Sequence, residues 1–301
     1  MADRTEERHA QARDLDVREP VAILKLLAQS QQAAARAVDA ALEPLAAAAG
    51  LATQALQTGG RLIYAGAGSS GLMAMVDALE LPGTYGLAPH SVVVLLAGGA
   101  ASLADLAGGY EDDRDLGIGD VEKAGVAAGD CLIVVSASGS TPYALGCAEA
   151  AKAAGASVVA LANNPGAPLL DVADVAILLE TPPEVISGST RMGAGTAQKI
   201  ALNMLSTLVG IGLGHVHDGH MVNLRPDNRK LRQRAAGMVA DIARIERSAA
   251  ERHLDAADGS VKIAVLLASG VASRDIAHQR LDTAGQSLRR ALALGGTREK
   301  S

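Results

Sequence analysis

Between residues 61 and 179, five short apolar runs alternate with alanine-rich helical stretches: RLIYA from Arg61, VVVLL from Val92, CLIVVSA from Cys131, SVVALA from Ser157 and VAILL from Val175. Strands that are apolar throughout, with no in-and-out alternation, are buried on both faces. Strung between helices, they build a mostly parallel sheet covered by helices. The predicted fold class is α/β, with a three-layer α/β/α core. The 301 residues include no Phe, no Trp and four Tyr, so that core has to be made from Ala, Leu, Val and Ile. A reader of nucleic-acid bases needs aromatic platforms and a basic surface. Here 27 Lys and Arg face 33 Asp and Glu, a net charge of -6, so no nucleic-acid partner is expected and any anionic ligand must be held locally.

Pro20 sits like a first-turn proline at the head of a long helical run that is interrupted near Pro44 and ends at Gly59-Gly60. A further long helix is expected from about Thr190 to Gly214. After Pro226 the chain becomes helical and charged (NRKLRQRAAGMVADIARIERSAAERHL), followed by two or three shorter helices. The predicted divisions are an N-terminal helical segment (1–58), a ligand-binding α/β domain (59–225) and a C-terminal helical domain (226–301). The uncharged stretch Leu81 to Ala104 is long enough to span a bilayer, but Pro82, Gly83, Gly86, Pro89, Gly98 and Gly99 break it up, so soluble core elements and no membrane are expected. Two cysteines, Cys131 and Cys147, make no disulfide framework, and the first residues, MADRTEERHAQARDLD, hold no apolar signal core. A cytoplasmic protein is the expectation.

Two strand-to-helix turns are candidates for chemistry. The first, Gly66-Ala67-Gly68-Ser69-Ser70-Gly71, matches the dinucleotide fingerprint G-x-G-x-x-G. That fingerprint needs a carboxylate at the end of the second strand to hold a ribose, and here the second strand ends Leu95-Leu96-Ala97-Gly98. The second turn is Ser136-Ala137-Ser138-Gly139-Ser140-Thr141-Pro142. Small hydroxyl residues and outward-pointing amides at a helix N-terminus suit a phosphate monoester, and ordinary helix capping is the alternative. Gly68, Ser69, Ser70, Ser136, Ser138, Gly139, Ser140 and Thr141 are therefore candidate substrate-binding residues.

Two carboxylates stand near these turns in the sequence. Glu80 is read as ending the helix that begins at the first turn, in DALELPGTYG, and Glu111 lies in the loop GGYEDD. Such a pair can act as acid and base if their surroundings separate their pKa values; otherwise each is a solvated charge. His215, His217 and His220 in HVHDGH match no recognised zinc spacing and are read as a loop without a metal.

The ordered series GRLIYAGAGSSG from Gly60, DALELPGTYG, LLAGGAASL from Leu95, GGYEDD, SASGSTPYALG from Ser136, NNPGAPL from Asn163 and PEVISGSTRMGAGTAQKIALNMLST from Pro183 resembles the N-acetylmuramic acid 6-phosphate etherases, which carry a sugar isomerase (SIS) domain. The resemblance runs over nearly the whole chain. It implies a SIS-type fold and a lyase that uses water to cleave the lactyl ether of N-acetylmuramic acid 6-phosphate, by elimination and then hydration of an open-chain sugar. It implies Glu80 as the acid that protonates departing lactate, Glu111 as the base at C2, and Ser187, Ser189 and Thr190 as further substrate-binding residues. It also implies a homodimer and no metal or cofactor. The chain departs from the family at Leu72, Ser140 and Gly193, where relatives usually carry Arg, Arg and Lys. Two alternatives remain, a SIS-domain regulator that binds a sugar phosphate and a sugar-phosphate isomerase.

Overall fold

The computed structural model describes residues 4–103 and 108–294. The five apolar runs form β1 (Leu62–Gly66), β2 (Val92–Leu96), β3 (Cys131–Val135), β4 (Ser157–Ala162) and β5 (Val175–Leu178). They make one all-parallel sheet in the order β2-β1-β3-β4-β5. Every residue of β1 and β3 is buried, as their unbroken apolar character requires.

Helices cover both faces. Ile63, Ala65, Leu132, Val134, Val158 and Ala160 pack against α4 (Arg114–Lys123), α5 (Pro142–Ala153) and α6 (Pro168–Val172) through Val121, Tyr143, Cys147, Ala151 and Leu169. On the other face, α2 (Leu42–Gln57) lies on β1, β3 and β5, with Ala48, Ala49, Ala52 and Ala55 buried. Alanine at these positions lets helix and sheet approach closely, while each fully buried Leu, Ile or Val contributes about 1.5–3 kcal/mol. The two fully buried tyrosines each find a carboxylate: Tyr64 Oη donates to Asp77 at 3.0 Å and Tyr143 Oη to Asp120 at 2.9 Å. α1 (Pro20–Arg36) and α2 are separated by a 3-10 stretch, Ala37–Ala41, and Pro44 lies in the first turn of α2, where a missing N–H costs no helical bond.

The chain divides into two compact units, residues 1–79 with 90–207, and 80–89 with 208–301. In the second, α8 (Arg229–Ala243), α9 (Arg247–Ala256), α10 (Val261–Ala268), α11 (Arg274–Thr283) and α12 (Leu288–Ala293) enclose a core that includes Val239, Leu254, Ile263, Val265, Leu281 and Leu288. Asn228, Ser260, Ser273 and Ser287 cap four of these helices through their side-chain oxygens. No helix among the described residues is long and apolar enough to cross a membrane.

Two local expectations change. α3 (Gly68–Tyr85) does not stop at Glu80 but runs through Pro82 and Gly83 to Tyr85. Pro82 removes only one bond near the helix end. The turn beyond it is held by Tyr85, whose ring lies against Gly210 and whose carbonyl accepts from Asn223 Nδ2 at 2.8 Å. The HVHDGH segment is a two-stranded hairpin, β6 (Val216–His217) and β7 (His220–Met221), rather than an irregular loop. Its tip, Asp218-Gly219, has positive φ at both residues (45° and 80°), as a tight hairpin turn requires. Burial and the nearby Lys262 ammonium push the His215 imidazole down to about 4, so it is neutral at pH 7.

Candidate active site

From β1 the chain crosses to β2 on one side and later returns to β3 on the other. The β1–β3 boundary is therefore where the sheet order reverses, and a crevice opens there beyond the carboxyl ends of the strands. Gly66 and Val135 are register partners at those ends, so the two Ser/Gly turns leave the sheet side by side.

In the first turn, Gly68 opens α3 at a φ of +51°. A Cβ on Gly71 would lie 2.6 Å from Leu96 Cδ1 and 2.7 Å from the Gly66 carbonyl oxygen, so only glycine lets the first turn of α3 close onto β1. The glycine pattern is thereby explained by packing and turn geometry, with no dinucleotide needed. Ser69 and Ser70 present first-turn amides that have no acceptor within the helix.

In the second turn, Ser136 Oγ lies 2.8 Å from Thr141 Oγ1 and 3.4 Å from Ser138 Oγ, a ring of three hydroxyls. Gly139 N–H donates to Ser136 Oγ at 3.0 Å and Ser140 N–H to Ser138 Oγ at 3.2 Å. Thr141 is the N-cap of α5 without using its side chain as a cap, which leaves the hydroxyl for the ring. Gly139 takes a φ of +69°, and a Cβ there would meet Ala167 Cβ at 2.4 Å. Asn164 supports the turn from behind, donating to the Ser138 carbonyl at 3.3 Å.

These turns line a cleft of about 410 Å³, a size suited to a small phosphorylated metabolite. Of the residues singled out in the sequence, Gly68, Ser69, Ser70, Ser136, Ser138, Ser140, Thr141, Thr190 and Glu111 line it. Gly139 shapes the second turn without lining the cleft. Ser187 and Ser189 do not line it either: Ser187 Oγ donates to the Glu6 carbonyl at 2.7 Å, and Ser189 N–H to the Ile186 carbonyl at 2.9 Å. Glu80 is exposed on α3, in the second unit, and is not among the lining residues, all of which belong to the first.

Glu111 Oε2 lies 3.6 Å from where a Gly68 Cβ would be, which sets the carboxylate over the first turn. Its main chain is tied to the second, because its carbonyl accepts from Tyr143 N–H at 3.0 Å. Partial burial, with a smaller contribution from the Asp112 charge, raises its pKa above the usual 4.5. Among the described residues the lining includes three carboxylates, Glu6, Glu111 and Asp112, and neither lysine nor arginine. An anion here has amides, helix N-termini and hydroxyls for partners. Of the positions noted above as departures from the family, Ser140 lines the cleft, while a Cβ at Gly193 would come within 3.1 Å of a Glu184 carboxylate oxygen and 3.2 Å of Ala34 Cβ.

Sequence reasoning missed Thr5, Glu6 and Gly188 as lining residues, along with buried Glu184. The Glu184 carboxylate accepts from Gly193 N–H at 3.0 Å and Ala194 N–H at 2.8 Å and so caps α7 (Gly193–Gly212).

Models of the SIS domain match residues 26–163 and 120–208. A phosphoheptose isomerase from Francisella tularensis shares the fold at 21% identity, with a TM-score of 0.50 over 64% of this chain and 98% of its own. N-acetylmuramic acid 6-phosphate etherases are similar along almost their entire length. The protein from Deinococcus radiodurans is 46% identical over 97% of this chain and 96% of its own. Those from Mycolicibacterium smegmatis and Halalkalibacterium halodurans are 40% and 39% identical, each over at least 96% of both chains. Identity of that depth and extent, on a chain whose own glycine turns, hydroxyl ring and Glu111 converge at the switch point of a SIS sheet, means that the chain belongs to the N-acetylmuramic acid 6-phosphate etherase family.

Proposed function

We propose that this chain is a carbon–oxygen lyase that cleaves the D-lactyl ether of N-acetylmuramic acid 6-phosphate with water, giving N-acetylglucosamine 6-phosphate and D-lactate. The observation that carries this reading is the placement of Glu111, a carboxylate of raised pKa set over one phosphate-type turn and tied by its main chain to the other. The phosphate takes the amides and hydroxyls of the two turns. In the open-chain sugar the C2 proton is α to the C1 aldehyde, and a raised pKa makes the Glu111 carboxylate a better base for it. As that proton leaves, its electron pair forms the C2–C3 double bond and the C3–O bond breaks. Lactate is a poor alkoxide leaving group and departs with a proton. Water then adds at C3, and a proton returns to C2.

Glu80 is our candidate for the acid, on the strength of the DALELPGTYG match. The test is release of D-lactate from N-acetylmuramic acid 6-phosphate by the purified chain. The variant Glu80→Ala is expected to exchange the C2 proton with solvent while releasing little lactate, and loss of both activities together would refute this division of roles. Absence of lactate with tight binding of the product would make the chain a sugar-phosphate sensor.

A homodimer is the assembly we assign. Met204, Leu208 and Ile211, exposed by 39, 40 and 50%, recur at i, i+4 and i+7 on α7, an apolar stripe that a second copy would cover. Light scattering should give twice the 30.4 kDa chain mass, and a monomeric mass would overturn the assignment. The cytoplasm is the compartment we assign, in keeping with two buried, unpaired cysteines.

A further inference from the structure

Residues 4–6, from a stretch with no recognisable motif, form a short 3-10 turn whose Thr5 and Glu6 help wall the cleft. The turn is tied down at several points. Thr5 is buried, its N–H donates to Asn164 Oδ1 at 3.2 Å, and its hydroxyl accepts from Asn164 Nδ2 at 3.2 Å. The same Asn164 amide holds the Ser138 carbonyl of the hydroxyl turn. On the other side Gly188 N–H donates to the Thr5 carbonyl at 3.1 Å, Ser187 Oγ donates to the Glu6 carbonyl, and Arg4 pairs with Glu180.

This anchoring fixes the Glu6 backbone, yet the Glu6 carboxylate makes no hydrogen bond or ion pair among the described residues. One of its oxygens lies 3.1 Å from where a Gly188 Cβ would be, which sets it at the cleft wall. Glu6 is exposed, so its carboxylate is solvated at the cleft wall, and a bound ligand can replace that water with donors of its own. A carboxylate only accepts hydrogen bonds, and its charge repels a phosphate or a lactyl carboxylate. The part of an amino-sugar phosphate it suits is the donor-bearing chain, the hydroxyls and the acetamido N–H.

We propose that Glu6 is a specificity-determining residue that accepts hydrogen bonds from the hydroxyl and amide donors of the sugar, an inference that rests on the substrate class proposed above. Removing its charge has two opposing effects, loss of these bonds and relief of repulsion toward phosphate. The readout is therefore the ratio of affinities for N-acetylglucosamine 6-phosphate and inorganic phosphate, measured by calorimetry on wild type, Glu6→Gln and Glu6→Ala. A charge-assisted hydrogen bond supports a fall in that ratio of about tenfold in Glu6→Gln and at least as much in Glu6→Ala. Melting temperatures should stay near wild type, because the carboxylate has no partner to lose.

A ratio within twofold of wild type in both variants overturns the inference. So does a loss of binding that tracks a loss of folding in both. If wild type binds the two ligands equally, the substrate class falls and the inference with it. If the ratio falls as expected but wild type releases no lactate, the contact stands and the reaction falls.

Discussion

Replacing Gly71 by alanine adds one methyl group at the point where α3 meets the sheet, and the structure fixes what that methyl would strike. It would lie 2.6 Å from Leu96 Cδ1, 2.7 Å from the Gly66 carbonyl oxygen and 2.8 Å from the Gly66 carbonyl carbon. These are roughly 0.5–1 Å inside normal contact. Leu96 has other rotamers, but the Gly66 carbonyl is the end of a central strand and accepts the Ala97 N–H at 3.1 Å, so it does not move freely. The helix start has to shift, and Ser69 and Ser70 shift with it. Overpacking of this kind costs about 1–3 kcal/mol, partly offset by the gain of about 1 kcal/mol for alanine over glycine in a helix. A net loss of up to about 2 kcal/mol corresponds to a fall in Tm of up to about 8 °C for a protein of this size. Catalysis should suffer more, because misplacing a binding group by a sizeable fraction of an ångström can cost about 100-fold in kcat/KM. The control is Gly50→Ala on the exposed face of α2, where an added Cβ meets nothing within 4 Å; it should raise Tm by a few degrees and leave lactate release unchanged. Calorimetry and a D-lactate assay on both variants decide the matter. If Gly71→Ala behaves like Gly50→Ala, with raised Tm and unchanged kcat/KM, the close approach of α3 to β1 does not position the site.

If Glu111 acts as the base, kcat/KM should fall on the acid side with a midpoint above the usual 4.5, set by burial first and the Asp112 charge second. Asp112→Asn should move that limb to lower pH, whereas an unmoved limb would assign the titration to another group. At the opposite end of the sheet, Asp130 accepts from Arg61 N–H at 2.8 Å, from the Arg61 guanidinium at 2.7 Å and from Ala127 N–H at 3.1 Å. Burial alone would raise its pKa, but the Arg61 side chain, the two backbone N–H groups and the Arg61 charge outweigh it and hold the pKa below the usual range. Asp130→Ala should therefore cost about 2 kcal/mol at neutral pH by denaturant titration, with lactate release intact. A group with a depressed folded pKa stabilises above its unfolded value and loses that contribution as pH falls through its folded value, so the gap between wild type and variant should shrink below about pH 4. A gap that persists at lower pH would mean that lost packing, not the ion pair, is responsible.

What was legible in the sequence was whatever is local. Apolar runs of four to six residues between alanine-rich helices specify a parallel sheet, because each strand must be buried on both faces whatever its neighbours are. The two Ser/Gly turns were legible for the same reason: each needs only its own strand, its own glycine and the helix that follows. Local signals failed where distant partners outweighed them. Pro82 and Gly83 read as a helix stop, yet α3 continues because Tyr85 packs on Gly210 and is capped by Asn223, more than a hundred residues away. Thr5 and Glu6 carry no motif, and their place at the cleft comes from contacts with Asn164 and Ser187 across about 160 and 180 residues. Asp218-Gly219 is a miss of another kind, since an Asp-Gly pair is itself a hairpin signal, yet the segment reads as a loop without a metal when only its histidine spacing is weighed. Glu184 shows why polar residues in such a site need complete hydrogen-bond accounting. In the sequence it is one more charge beside the long helix. In the fold it takes the first two amides of α7, which sets Gly193 beside its carboxylate and Ala34. A Cβ at residue 193 would need the carboxylate and Ala34 to give by only a few tenths of an ångström, so packing alone does not dictate glycine there. What the neutral residue does is leave the buried Glu184 carboxylate with two backbone amides, and no side-chain cation from this position, as its partners.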